Sequence, residues 1–137
     1  MPAGAAGPLP PVLTGLRVLV VDDDTDTREL FAAVLTTGGA SVSTASSASE
    51  ALALLAGRPV DVVLSDIAMP GGDGYWLVRQ IRALPDAPVN AVPVVAVTAF
   101  GRDHSRSRAL AAGFADHLQK PADPTLLCRA VAAAAGR

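Results

Sequence analysis

Several short apolar segments of the chain are followed by side chains that could take part in chemistry. Asp22-Asp23-Asp24 comes directly after the first segment, Ser65-Asp66 after a second, Thr98 after a third, and Lys120 stands near the end of the chain. Two carboxylates about 4 Å apart repel each other by roughly 4 kcal/mol at an effective dielectric constant near 20. A cluster of aspartates therefore either traps a proton or recruits a cation. Mg²⁺ suits such a cluster best, because it accepts one or two carboxylates and keeps several waters.

An ionised aspartate beside Mg²⁺ and an ammonium group can act as a nucleophile toward phosphorus, which gives an aspartyl phosphate. The metal, the ammonium group and a hydroxyl would stabilise the charge on the transferred group. Lys120 supports this hypothesis, since it is the only lysine among 11 basic residues. A sequence that otherwise uses arginine favours a compact point charge at this position.

The apolar segments have the pattern of strands that are buried on both faces of a parallel sheet. Residues 18–21 and 94–97 are continuous apolar runs, and residues 60–64 form a run interrupted by Asp61. Residues 40–45 and 115–118 are weaker and predict the two edge strands. Helices are predicted from Asp24 or Thr25 to Thr37, from a capping box at Ser47-Ala48-Ser49-Glu50 to Gly57, and over residues 75–83, 103–112 and 124–134.

Five strands that alternate with five helices predict a doubly wound α/β domain with a parallel sheet. Ligands bind such sheets beyond the carboxyl ends of the strands, where the strand order reverses. With the strand order 2-1-3-4-5, the first and third strands are neighbours, so Asp22, Asp23 and Asp66 converge. Thr98 and Lys120 then face these carboxylates from the other side.

The length of 137 residues predicts one domain. Residues 1–14 are rich in Pro, Gly and Ala and lack periodicity, so we predict a flexible N-terminal arm or linker there and the domain over residues 15–137.

The overall charge argues against nucleic acid or an anionic membrane as a partner. Lys+Arg of 11 against Asp+Glu of 13 gives a net charge of -2. The single cysteine, Cys128, excludes an intramolecular disulfide and a cysteine-built metal site. No signal peptide and no transmembrane segment is recognisable, so we expect a cytoplasmic protein that does not insert into a membrane.

The motifs at the strand ends, in this order, resemble the receiver domain of two-component response regulators. The resemblance covers residues 16–134 and rests on Val18-Leu19-Val20-Val21-Asp22-Asp23-Asp24, on Asp66-Ile67-Ala68-Met69-Pro70 with Gly71 to Gly74, on Val97-Thr98-Ala99 and on Lys120-Pro121. It implies a flavodoxin-like fold, cytoplasmic signalling and Mg²⁺ as the cofactor.

By this resemblance, Asp66 is the phosphoacceptor. Asp23, Asp66 and the backbone carbonyl of Ala68 would bind Mg²⁺ directly, and Asp22 would act largely through bound water. The phosphoryl group would come from the phosphohistidine of a histidine kinase or a histidine phosphotransfer protein. Such a domain catalyses its own phosphorylation and dephosphorylation, so it is an enzyme only in a limited sense.

The resemblance also assigns the residues that respond to the phosphoryl group. Thr98 would bind a phosphoryl oxygen, Lys120 would pair with the phosphoryl charge, and the peptide bond before Pro121 is commonly cis in this family. The family often has Tyr or Phe three residues before the lysine, where His117 stands here. We therefore assign the conformational switch to Thr98 and His117, with a static His117 as an equal alternative.

A second departure from the family concerns the lifetime of the phosphoryl group. Receivers usually have a polar side chain two residues after the acceptor or two after the threonine, and this side chain orients the hydrolytic water. These positions are Ala68 and Phe100 here, and neither side chain forms hydrogen bonds. We therefore predict slow hydrolysis.

Three alternatives remain open from the sequence. One is a degenerate receiver that acts as an unphosphorylated protein-binding module. The intact set Asp22, Asp23, Asp66, Thr98 and Lys120 argues against this module. Another is a phosphohydrolase with an aspartate nucleophile, which the lack of residues for a cap domain disfavours. The last concerns the protein to which the domain belongs. Residues 109–118 look like those of receivers attached to hybrid histidine kinases, so the chain is either a free-standing regulator or a receiver excised from such a kinase. A homodimer is also open.

Overall fold

Strands and helices alternate along the whole described chain. The structure is a computed structural model, and it describes residues 12–71, 73–99 and 105–137. A short 3₁₀ turn at Val89–Ala91 precedes the fourth strand. In chain order the elements are β1 (Arg17–Val21), α1 (Thr25–Thr37), β2 (Ser41–Ala45), α2 (Ala48–Gly57), β3 (Val62–Asp66), α3 (Gly74–Arg82), β4 (Val94–Ala99), α4 (Arg106–Ala112), β5 (Asp116–Lys120) and α5 (Pro124–Ala134).

The strands form one five-stranded parallel sheet in the order β2-β1-β3-β4-β5, which confirms the predicted doubly wound α/β fold of the flavodoxin-like type. All five residues of β3 are buried, as expected for a central strand that is covered on both faces. β2 lies at one edge, where only its last residue, Ala45, is buried, and β5 forms the other edge.

Each face of the sheet carries its own apolar core, because successive residues of a strand point to opposite faces. On one face, alternate strand residues such as Leu19 and Val63 pack with α2, α3 and Ala109 of α4. On the other face, residues such as Val20 and Leu64 pack with α1 and α5. The two layers of helices cover both faces of the sheet and leave the carboxyl ends of the strands uncovered at one edge.

The predicted helix caps are present. Of the two residues expected to start α1, Asp24 is the cap, and its carboxylate accepts the N–H of Thr27. Ser47 caps α2 by accepting the N–H of Glu50. In a capping box, the Glu50 carboxylate would accept the N–H of Ser47. It instead accepts the N–H and hydroxyl of Ser46, one residue earlier.

The strand ends differ slightly from the prediction. Asp66 and Lys120 are the last residues of β3 and β5, and Thr98 is the penultimate residue of β4, whereas we expected them to follow the strands. At its start, β3 begins at Val62 and not at residue 60. The preceding Asp61 accepts hydrogen bonds from the N–H and guanidinium of Arg17 through its carboxylate. For α4, Ser105 is the cap, and the predicted start at residue 103 lies outside the described residues.

Residues just before the predicted domain boundary at residue 15 contact the domain. Leu13 is fully buried, and its N–H donates a 2.9 Å hydrogen bond to the carbonyl of Gly38. Gly39 has φ +105°, and a β-carbon there would meet Thr14 Oγ1 at 2.7 Å, so this close approach requires glycine. Arg137 donates a 2.7 Å hydrogen bond to the Thr14 carbonyl. Residues 1–11 lie outside the described residues, and the arm stays a prediction there.

Two further predictions concern the backbone and the membrane. The Lys120–Pro121 peptide bond is cis, as the resemblance implies, and the Ala87–Pro88 bond is cis as well. Within residues 12–71, 73–99 and 105–137, the search for a helix of sufficient length and hydropathy to cross a membrane found none.

Candidate functional site

The predicted site residues meet at the carboxyl edge of the sheet. Asp22 directly follows β1, and Asp66 ends the neighbouring β3. In β4, Val97 pairs with Asp66, which places Thr98 one residue further toward the same edge. In β5, Lys120 pairs with Ala99 and completes the rim. The parallel topology therefore gathers side chains that are up to 98 residues apart in sequence.

Three carboxylates form the centre of this site. One oxygen atom of each of Asp22, Asp23 and Asp66 can be chosen such that all three lie within 4.8 Å of one another. Asp22 is 1% exposed and Asp66 is 8% exposed, whereas Asp23 is exposed to solvent. The cluster thus has two buried carboxylates and one that opens to the surface.

Asp22 is held at both of its carboxylate oxygens. Its Oδ1 accepts the N–H of Asp24 at 2.9 Å, and its Oδ2 accepts a proton of Lys120 Nζ at 2.8 Å. Such partners compensate for the loss of hydration of a buried carboxylate. Asp22 is therefore fixed in orientation, which suits a residue that acts through bound water.

Lys120 bridges the two buried carboxylates. Its Nζ lies 2.8 Å from Asp22 Oδ2 and 3.4 Å from Asp66 Oδ2. Burial by itself lowers the pKa of Lys120, but the hydrogen bond to Asp22 and the charges of Asp66 and Asp22 outweigh this effect and raise the pKa. The side chain is consequently a permanent cation at physiological pH.

Asp66 lies in surroundings that disfavour its ionised form. Burial raises its pKa most strongly, and the negative charges of Asp22 and Asp23 raise it further, while Lys120 acts in the opposite direction. The net pKa lies above the ordinary value of 3.8. A cation bound between these carboxylates would relieve the repulsion and keep Asp66 ionised.

The donor set fits a hard dication such as Mg²⁺. The three carboxylates offer only oxygen ligands, and one of them is open to solvent, where water ligands can be retained. Ala68, whose carbonyl is the fourth predicted ligand, lies in the loop after β3 and is half-buried. No protein nitrogen or sulfur ligand competes within the cluster that the described residues form.

The two predicted switch residues share one face of the sheet. His117 pairs with Ala96, and Thr98 lies two residues after Ala96 on the same strand, so both side chains point to the face covered by α3 and α4. Thr98 is 1% exposed and His117 is 8% exposed. Thr98 Oγ1 and His117 Nε2 are buried without a hydrogen-bond partner among the described residues. Phe100, predicted to affect hydrolysis, lies outside those residues.

Aromatic and arginine side chains form contacts around α3, α4 and β5. Tyr75 is buried and packs edge-on against Phe114 with ring centroids 5.6 Å apart, and the Arg108 guanidinium lies 5.0 Å above its ring. Arg106 forms an ion pair with Asp116 and contacts the His117 carbonyl. Both arginines are exposed, and their contacts connect α4 to its neighbours.

Three contacts around the site were not predicted from the sequence. The Arg28 guanidinium donates a 2.7 Å hydrogen bond to the carbonyl of Asp22. The Ser65 hydroxyl donates to the carbonyl of Asp66 at 2.8 Å. A β-carbon at Gly74 would lie 2.6 Å from that same carbonyl oxygen, so only glycine lets α3 begin this close to the acceptor. The glycines after Met69-Pro70 were the only sequence signal for any of these contacts.

Comparison with known proteins agrees with this geometry. The family model for the response regulator receiver domain matches residues 18–132. The chain is 44% identical over 119 residues to an uncharacterized 14.6 kDa protein from the sodA1 3' region of Leptolyngbya boryana, covering 87% of this chain and 89% of that protein. It is 38% identical over 111 residues to the response regulator PleD of Caulobacter vibrioides, covering 81% of this chain but only 24% of PleD.

A solved structure shows the same fold. The crystal structure of a putative response regulator from Chloroflexus aurantiacus matches with a TM-score of 0.82 and 32% identity, covering 89% of this chain and 98% of that one. The strand order, the acidic cluster and the family match agree with one another. The chain belongs to the receiver domains of two-component response regulators.

Proposed function

We propose that this receiver domain takes a phosphoryl group from the phosphohistidine of a histidine kinase or histidine phosphotransfer protein onto Asp66, with Mg²⁺ as its cofactor. The observation that carries this proposal is the convergence of Asp22, Asp23 and Asp66 with Lys120 at one edge of the sheet. Receiver domains in general bind Mg²⁺ at an acidic pocket and interact with such kinases or phosphotransfer proteins.

Asp23, Asp66 and the carbonyl of Ala68 would hold the metal directly, and Asp22 would hold it through water. When bound, Mg²⁺ supplies positive charge that offsets the charge developing on the phosphoryl oxygens. A carboxylate oxygen of Asp66 then forms a bond to phosphorus while the bond between phosphorus and the donor imidazole nitrogen breaks. The electron pair of the broken bond stays on that nitrogen.

Lys120 and Thr98 would stabilise the product. The ammonium group of Lys120 already lies 3.4 Å from Asp66 Oδ2, so a short movement brings it to a phosphoryl oxygen. The buried Thr98 hydroxyl, which has no partner among the residues the structure describes, is free to donate to another phosphoryl oxygen. If Thr98 moves toward the site, it vacates space on the face that it shares with His117, and that ring can follow.

The partner that carries the phosphohistidine must contact the rim of the site. An apolar cavity of about 290 Å³ opens beside Lys120, between α1 and the start of α5, and Leu30 at its edge is 60% exposed. The side chains around it are those of Thr27, Leu30, Phe31, Ala99, Lys120, Pro121 and Ala122. We assign the apolar part of the partner surface to this cavity, since Lys120, which lines it, lies 3.4 Å from the acceptor Asp66.

The experiment is incubation of the chain with Mg²⁺ and acetyl phosphate as a small phosphodonor, followed by intact mass measurement. We expect one phosphoryl group in the native chain and none in Asp66→Asn, because the amide is not a nucleophile of comparable strength. Asp86→Asn, which changes an exposed aspartate between α3 and β4, is the matched control and should be labelled like the native chain. A chain that binds neither Mg²⁺ nor phosphoryl groups would instead support the degenerate receiver.

A further inference from the structure

Arg28 reaches from the first turns of α1 back to the end of β1. Its Nη1 donates a 2.7 Å hydrogen bond to the backbone carbonyl of Asp22, and its Nη2 lies 3.4 Å from Thr25 Oγ1. The side chain is half-buried, and the bond to Asp22 is shielded from solvent. A charge-assisted hydrogen bond of this length is among the stronger contacts that a carbonyl can accept.

The contact fixes one of the two peptide groups that flank Asp23. The peptide group before Asp23 is held through the Asp22 carbonyl by Arg28. The peptide group after Asp23 is held through the Asp24 N–H, which donates to the Asp22 carboxylate at 2.9 Å. Asp22 accepts both hydrogen bonds, so the backbone around Asp23 is fixed from both sides.

Asp23 itself has no such support at its side chain. It is exposed, and within the described parts of the chain no hydrogen bond or ion pair holds its carboxylate. The direction in which this carboxylate points therefore depends on its backbone. A rotation of the preceding peptide group would turn the Asp23 side chain away from Asp66.

We propose that Arg28 is a positioning residue for the metal site, which holds the peptide group before Asp23 so that the Asp23 carboxylate stays aimed at Asp66. The proposal rests on the proposed function, in which Asp23 is a direct Mg²⁺ ligand. Partners of this kind, which orient a ligand without touching the metal, commonly change metal affinity by ten- to a hundred-fold when they are removed.

The sign of the effect separates positioning from simple electrostatics. Arg28 is a positive charge close to acidic groups. The pKa of Asp24 is lowered mainly by hydrogen bonds from Thr27, and the charge of Arg28 lowers it further. The pKa of Glu50 is lowered mainly by hydrogen bonds from Ser46, and Arg28 again adds to the effect. If its charge were all that mattered, removal of Arg28 would strengthen the binding of a dication. If it positions Asp23, the same removal weakens Mg²⁺ binding.

The test is calorimetric titration of the full chain with Mg²⁺ alone. In Arg28→Gln we expect the Kd for Mg²⁺ to rise roughly ten-fold. In Arg28→Lys we expect a smaller rise, because an ammonium group can still donate to the Asp22 carbonyl but lacks the planar pair of donors. Arg58→Gln removes an equal charge from an exposed residue at the end of α2 and should bind Mg²⁺ like the native chain.

A second readout distinguishes positioning from loss of structure. With acetyl phosphate as donor, the Mg²⁺ concentration for half-maximal labelling of Asp66 should rise in Arg28→Gln, while the labelling rate at saturating Mg²⁺ stays close to native. An unchanged or lower Kd in both Arg28 variants would overturn the proposal, as would an equal rise in Arg58→Gln. If Arg28→Gln does not fold, a native Kd in Arg28→Lys overturns it. Failure of the native chain to bind Mg²⁺ would contradict the proposed function itself.

Discussion

Lys120 and Asp22 are 98 positions apart in sequence and are joined by a 2.8 Å ion pair at the carboxyl edge of the sheet. Asp22 is 1% exposed, so its charge has little solvent to stabilise it. The pair thus lies within the acidic site. The same ammonium group that compensates the charge of Asp22 is the one expected to pair with the phosphoryl charge.

Lys120→Ala should therefore lower stability as well as the response to phosphorylation. Without the ammonium group, the buried Asp22 keeps only its bond from the Asp24 N–H, and we expect a loss of roughly 1–3 kcal/mol in the free energy of unfolding at pH 7. Mg²⁺ should restore part of this loss, because it supplies the missing positive charge. Urea denaturation with and without Mg²⁺ measures both effects. An unfolding midpoint equal to that of the native chain would show that the ion pair contributes nothing.

Asp66→Asn should stabilise the metal-free protein at pH 7, by roughly 2–5 °C in Tm. The pKa of Asp66 is raised in the fold by burial and by its acidic neighbours, so the folded state binds the proton more tightly than the unfolded state does. The native chain therefore loses stability as the pH rises from 3.8 through the raised pKa, and asparagine avoids this loss. Thermal unfolding from pH 3 to 8 checks the sign, with Asp86→Asn as the control. A gain that is equally large at the acid end would contradict the explanation.

Much of this site could be predicted because it lies where the fold always brings residues together. The apolar runs before Asp22, Asp66 and Thr98 identify buried parallel strands, and the carboxyl ends of such strands meet at one edge. The ends of the strands were predicted less accurately, since a strand ends where its hydrogen bonds to the neighbouring strands end. Asp66 and Lys120 still pair with a neighbouring strand, and no residue type in the sequence marks the last paired residue.

The contacts that the sequence did not reveal involve backbone partners. Arg28 is one of many arginines, and its partner is a carbonyl group, which every residue carries. The bond from Leu13 to the carbonyl of Gly38 is of the same kind, and it lies in a segment whose composition resembles that of a linker. Such contacts depend on three-dimensional proximity alone, so only the structure identifies them.

Gly74→Ala should damage the site through its backbone. The added β-carbon would lie 2.6 Å from the Asp66 carbonyl oxygen and 3.0 Å from Ile67 Cα, which forces α3 or the acceptor to shift. We expect a loss of roughly 1–3 kcal/mol of stability and slower labelling of Asp66. Gly57→Ala is a matched control, since nothing lies within 4 Å of its added β-carbon and alanine favours the helix. If both variants behave alike in denaturation and labelling, the close approach at Gly74 is unimportant.

Ala68→Asn should shorten the life of the phosphoryl group. Ala68 lies two residues after the acceptor and cannot orient water, whereas an asparagine amide there can. One added orienting contact is worth on the order of 1–3 kcal/mol, or roughly a ten- to a hundred-fold faster decay. Loss of the phosphoryl group is followed by intact mass after removal of the donor, in Ala68→Asn and in the double variant with Phe100→Glu. Equal decay rates in all three proteins would rule out these positions as determinants of hydrolysis.

The most direct test of the central claim is to map the phosphorylated residue after incubation with Mg²⁺ and acetyl phosphate. The account predicts a single phosphoryl group on Asp66, formed only when Mg²⁺ is present. A phosphoryl group on Asp22 or Asp23, or equal labelling of Asp66 with and without Mg²⁺, would contradict it.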